Sequence, residues 1–148
     1  LSDRLERNMT PNQSERDIEI VQYLAEIVKN HAVSQKILPS TDRIKVFFYP
    51  SPNDSKINLL SQDLELDLGK AQPAEKKKLL NVFEDKFKNS LSQIYGSTLK
   101  EKNWIGSDIW GFFNTKAKPY CVKDGYRNVL VVLTDGYIYH KNNLIKRI

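Results

Sequence analysis

Apolar positions along the chain fall into three kinds of pattern. Ile18, Val21, Leu24, Ala25, Val28 and Ala32 recur at helical spacing, which predicts an amphipathic helix of about six turns ending before Pro39. Thr10 is its expected N-cap, with Pro11 at the first helical position and Gln13 closing a capping box. Leu79, Leu80, Phe83, Phe87, Leu91 and Ile94 form a second such stripe. A long helix opened by Pro73 is expected there, with Gly96 as its C-cap.

Two stretches alternate instead with a period of two. Ile44, Val46 and Phe48 mark residues 43–49 as a strand between Pro39 and Pro50. Within residues 56–68, Leu64, Leu66 and Leu68 alternate with Glu65 and Asp67, which predicts a half-exposed antiparallel edge strand whose charges discourage aggregation.

The third pattern is continuous. In the stretch RNVLVVLTDG, residues 129–133 are all apolar and mostly β-branched, and Thr134, Asp135 and Gly136 end the run. Such a run predicts a strand covered by helices on both faces. An acidic residue at the carboxyl end of a central parallel strand points into the crevice where α/β sheets bind ligands, which makes Asp135 a functional candidate. Asp-Gly is equally the chemistry of a turn, with Gly136 supplying a positive φ. Before this strand, residues 104–110 read as a tight turn feeding a short helix capped by Ser107, with Ile109, Phe112 and Phe113 turned inward. Residues 137–140 extend the pattern as a further short strand. Helices and strands thus alternate in an order that predicts an α/β sheet.

Composition narrows the chemistry. A chain of 148 residues has the size of a single domain, here spanning 1–148. No apolar run reaches the roughly 20 residues that span a bilayer, so no membrane-spanning segment is expected, and the polar first residues do not read as a signal peptide. One cysteine, Cys121, leaves no internal disulfide and no cysteine-built zinc site. The net charge of +5 raises nucleic acid as a partner. The basic residues are dispersed, however, and the Lys76, Lys77, Lys78 cluster reads as a solvated helix face, so no nucleic-acid binding is expected. His31 and His140 lie in no catalytic setting, and His31 reads as structural near a helix C-terminus. Neither a glycine-rich phosphate loop nor a G-x-S-x-G elbow is present.

Three segments bring oxygen ligands to one predicted sheet edge: Leu1, Ser2 and Asp3; Gly106, Ser107 and Asp108; Thr134, Asp135 and Gly136. Hydroxyls and carboxylates without histidine or thiol suit a hard cation such as Mg²⁺, Mn²⁺ or Ca²⁺. VLTDG at the end of a buried strand, preceded by a Gly-Ser-Asp-Ile turn, resembles the von Willebrand factor A fold and its metal-ion-dependent adhesion site. The resemblance implies a Rossmann-like three-layer sandwich: a mostly parallel central sheet with one antiparallel edge strand, and helices on both faces. It places the family's first strand before Leu1 and its last elements after Ile148. It also implies Ser2, Ser107 and Asp135 as metal ligands. Asp3, Arg4, Asp108, Thr134 and Gly136 would surround them, Asp108 as an acceptor orienting a metal-bound water. Arg4 departs from the pattern, since it stands where the family has a second serine, and the family's first Asp would precede Leu1. The implied function is a non-enzymatic adhesion or scaffold module that holds a divalent ion and binds a carboxylate of a protein partner. The competing expectation is a metal-assisted phosphoester hydrolase using Asp135 and Asp108.

Overall fold

Two long helices carry most of the core in the computed structural model, which describes residues 12–49, 54–98 and 108–134. Helix α1 spans Gln13–Ser34. It begins later than the capping box predicts: Asn12 stands at its start with φ of 64° and contributes no side-chain cap. Gln13 instead donates to the Asp17 carboxylate one turn on, at 2.6 Å. Thr10 and Pro11 lie outside the described residues. The predicted stripe is the buried one: Val21, Ala25 and Ala32 are fully enclosed, and Ile18 and Val28 pack against them.

The chain then forms strand β1, Arg43–Lys45, followed by helix α2, Ser55–Gln62, and strand β2, Glu65–Asp67. Helix α2 was not anticipated. Asp54 caps it with one carboxylate oxygen, which accepts from the amides of Lys56 and Ile57 at 2.7 and 3.1 Å, and Ile57 buries its inner face. The strands pair antiparallel, with Ile44 opposite Leu66 and Lys45 opposite Glu65. The Val46 amide bonds the Leu64 carbonyl and the Leu68 amide the Asp42 carbonyl, so the ladder continues past both ends. Because side chains alternate across a strand, Leu64, Leu66 and Leu68 enter the core while Glu65 and Asp67 turn away from it.

Helix α3, Pro73–Thr98, lies along α1 and α2 and supplies the bulk of the core through Leu80, Phe83, Phe87, Leu91, Ile94 and Tyr95. Phe83 and Phe87 meet edge to face at 5.5 Å, a favoured aromatic geometry. The helix runs through Gly96 and two residues further, so Gly96 is an interior position and not a C-cap. One residue of the expected solvated face is inside: Lys76 is 6% exposed. Its ammonium donates to the carbonyls of Leu38 and Ser40, both at 2.7 Å, and so closes the loop that leaves α1.

The α/β expectation is corrected here. Helix occupies 63% of the described residues, and their sheet has two strands in antiparallel order, so they form no Rossmann-like, mostly parallel sandwich. The physical reason lies in residues 129–133. The strand expected there does not form: these residues have no regular secondary structure, and no strand among the described residues pairs with them. A parallel sheet requires neighbouring strands to share hydrogen bonds, and an unpaired segment cannot make one.

Candidate functional site

The face of the hairpin turned away from the core carries Arg43, Lys45, Phe47, Tyr49, Glu65 and Asp67, and the segment that begins at Asp108 meets it through Phe112, Tyr120 and Tyr126. Lys45 donates to Glu65 at 2.5 Å and Arg43 to the other Glu65 oxygen at 3.1 Å. Opposite charges facing each other across an antiparallel pair stabilise it. Burial alone would push the Glu65 pKa up, but the Lys45 hydrogen bond and the charges of Lys45, Arg43 and Lys70 outweigh it. The carboxyl is held below its usual range. Asp67 folds one oxygen onto the amides of Gly69 and Lys70, while its other oxygen lies 3.7 Å from Arg43 Nε.

Helix α4, Ile109–Phe112, opens the segment that covers this face. Its N-cap is Asp108 rather than Ser107: the Asp108 carboxylate accepts from the Gly111 amide at 2.9 Å. Glycine leaves room for this bond, since a Cβ on Gly111 would lie 2.1 Å from the second carboxylate oxygen. A single π-helical turn, Phe113–Ala117, leads into helix α5, Lys118–Cys121. Pro119 has no amide to bond the carbonyl four residues back, and a widened turn accommodates that loss. Phe112 meets Tyr49 edge to face at 5.7 Å and Tyr120 meets Phe47 at 6.0 Å. Phe113, expected to point inward, is exposed. Burial raises the Cys121 thiol pKa, against the opposing charge of Arg43, so the thiol is not activated as a nucleophile.

A tight loop then aims the chain into its last described segment. Gly125 has φ of +79°, a conformation that side-chain-bearing residues rarely adopt. Asn128 closes the loop, accepting from the Lys123 amide at 3.0 Å and donating to the carbonyls of Lys123 and Tyr126 at 2.9 and 3.1 Å. Tyr126 ties it to the hairpin. Hydrogen bonds with Thr41 and then Lys123 hold its phenol below the ordinary range, and its oxygen sits over Gly69.

That segment is the distinctive surface feature. Val129, Leu130, Val131, Val132 and Leu133 are between 42% and 71% exposed. Sequence patterning predicted a central strand there with helices on both of its faces, and the structure forms no strand at these residues. A shallow groove of about 310 Å³ is lined by Lys45, Val46, Phe47, Phe48, Asn58, Ser61, Gln62 and Glu65.

The sequence-predicted metal ligands Ser2, Ser107 and Asp135, together with Asp3, Arg4 and Gly136, lie outside the described residues. Asp108 and Thr134 are described. Asp108 spends its carboxylate on the α4 cap. Among the described residues no three His, Cys, Asp or Glu side chains gather as a metal cluster, and no helix is long and apolar enough to cross a membrane. His31 lies in the last turn of α1, with Nδ1 at 3.0 Å from the Asp42 carboxylate. That carboxylate also accepts from Ser40 Oγ at 2.7 Å. Neither Lys76 nor this Ser40, Asp42, His31 chain was legible as a group, because their partners are distant in sequence or belong to the backbone. No family model matches the chain, and no curated protein or solved structure is significantly similar to it.

Proposed function

We propose that the protein is a non-enzymatic protein-binding module that captures an extended strand of a protein partner along residues 129–133. One observation carries this: five consecutive apolar residues lie exposed with no strand partner among the described residues. Unpaired strand edges are templates for pairing with another chain, and strand addition supplies main-chain hydrogen bonds together with contacts for alternate side chains. Burying apolar surface contributes roughly 25 cal/mol per Å². The Asn128 loop clamp and the Tyr126 anchor hold the entry to the segment in place, which lowers the entropic cost of docking.

The metal-dependent form of such binding, implied by the adhesion-site resemblance, needs Ser2, Ser107 and Asp135 to converge. All three lie outside the described residues, so strand capture is built on the apolar segment alone. A hydrolase reading gains no support from the described residues: Cys121 is not activated and Asp108 is engaged by its own helix.

A fluorescent peptide of alternating valine and threonine with glutamates at both ends is a direct probe. Saturable binding followed by anisotropy is expected for the wild type and is lost in Val131→Pro, which removes a backbone donor. Equal binding by both proteins, or by neither, refutes strand capture.

A further inference from the structure

We infer that the surface joining the hairpin face to α4 and α5 takes a single strand of nucleic acid, with bases stacked on its exposed rings and phosphates on its lysines. This goes beyond strand capture and does not rest on it. Between Asp108 and Asp124 the chain carries three lysines, Lys116, Lys118 and Lys123, and no acidic residue. Asp108 itself is committed to the α4 cap. In the same stretch Trp110, Phe113 and Tyr120 are 59%, 45% and 51% exposed. Basic groups interleaved with exposed rings suit a single strand: the cations take its phosphates, and each unpaired base offers a π-face whatever its identity.

Dispersal along the chain argued against nucleic acid, but folding gathers these lysines around rings. Lys116 Nζ lies 5.4 Å from the centre of the Tyr120 ring, Tyr120 meets Phe47 edge to face, and Lys45 Nζ lies 5.2 Å from the Phe47 ring. Cation, ring, ring and cation form a continuous run from α5 to the hairpin. Lys123 lies over Tyr126 in the same way, at 4.2 Å. Phe47 and Lys45 also line the groove of about 310 Å³, to which α2 contributes Asn58, Ser61 and Gln62. Asn58 and Gln62 stand one turn apart on a shared helix face, and a side-chain amide offers both a donor and an acceptor to the edge of a base. Glu65, the carboxylate of the groove, is already neutralised by Lys45, Arg43 and Lys70. A duplex keeps its base faces inside the stack, so exposed rings select the single strand.

Fluorescence anisotropy of the full chain with a labelled oligothymidylate of about 12 nucleotides, a length that one such surface accommodates, tests this. Saturable binding is expected. With three lysines on phosphates it should weaken about 20-fold between roughly 50 and 200 mM salt. Changing Lys116, Lys118 and Lys123 together to glutamine should flatten that salt dependence. Tyr120→Leu and Trp110→Leu keep apolar bulk and remove the ring, and each should weaken binding about tenfold. Both side chains are largely exposed, so helical circular dichroism should stay unchanged in these variants. A wild type that does not bind the oligonucleotide overturns the inference. So does equal affinity for a duplex of the same length, or wild-type affinity in both ring variants. Co-sedimentation with phosphatidylserine vesicles by a protein that ignores the oligonucleotide assigns the surface to a membrane instead and overturns it as well.

Discussion

The hydroxyl of Tyr95 in α3 donates to the carboxylate of Asp17 in α1 at 2.7 Å, joining the end of one long helix to the start of the other across 78 positions of sequence. Burial, then the hydrogen bond and charge of Asp17, raises the Tyr95 pKa well above the phenol range. The neutral phenol is therefore the form that the fold selects. Tyr95→Phe keeps the ring and removes the donor. Urea unfolding should show a loss of about 1 kcal/mol. The pH dependence has a definite sign: the unfolded tyrosine ionises near pH 10 and the folded one above it, so this group's contribution is complete below pH 10 and declines as pH rises beyond. Tyr95→Phe should remove that part of the alkaline decline.

Lys76 provides a sharper test. Its buried ammonium satisfies two backbone carbonyls, so Lys76→Met leaves both without that donor while keeping most of the side-chain volume. A loss of about 2–4 kcal/mol is expected in chemical denaturation, with faster amide exchange in residues 36–41. The adjacent exposed lysines make the control. Lys77→Met and Lys78→Met should each change stability by less than about 0.5 kcal/mol.

Gly111→Ala tests the cap of α4. The added methyl would collide with the Asp108 carboxylate, so the side chain must rotate away and release the Gly111 amide. The cost expected for a lost N-cap is about 1 kcal/mol. Hydrogen exchange should localise it to residues 109–113, and Asp108→Ala should reproduce the effect.

Glu65 ties the hairpin to acid stability. Its folded pKa is depressed by Lys45, Arg43 and Lys70 despite the opposing effect of burial, so its contribution is present above the unfolded pKa near 4.3. It is lost as pH falls through the lower folded value. Melting temperature measured from pH 6 down to pH 3 should fall less steeply in Glu65→Gln than in the wild type.

Local periodicity carried the two long helices, because a stripe such as Leu80, Phe83, Phe87, Leu91 and Ile94 has one way to be buried as a unit. It carried the hairpin as well: a period of two in Leu64, Leu66 and Leu68 leaves a single register that hides all three. Helix α2 was absorbed into the predicted strand because it is only eight residues long and lies against that alternation. Asp54 three residues before Ile57 was the signal that could have revealed it. The expected metal ligands shared a predicted sheet edge in one dimension, but the parallel sheet that would have made that edge is absent from the described residues.

Sequence alone determined the two long helices with their apolar stripes and the alternation of Leu64, Leu66 and Leu68, since those properties depend on residue spacing within a few positions. Tertiary structure decided what covers each apolar face. Lys76, in a run of three lysines, is buried because two loop carbonyls await it. Residues 129–133, an unbroken apolar run, stand exposed because a segment is buried only when others pair with it or pack over it, and no strand among the described residues pairs with this one. Burial is a property of the partner as much as of the residue.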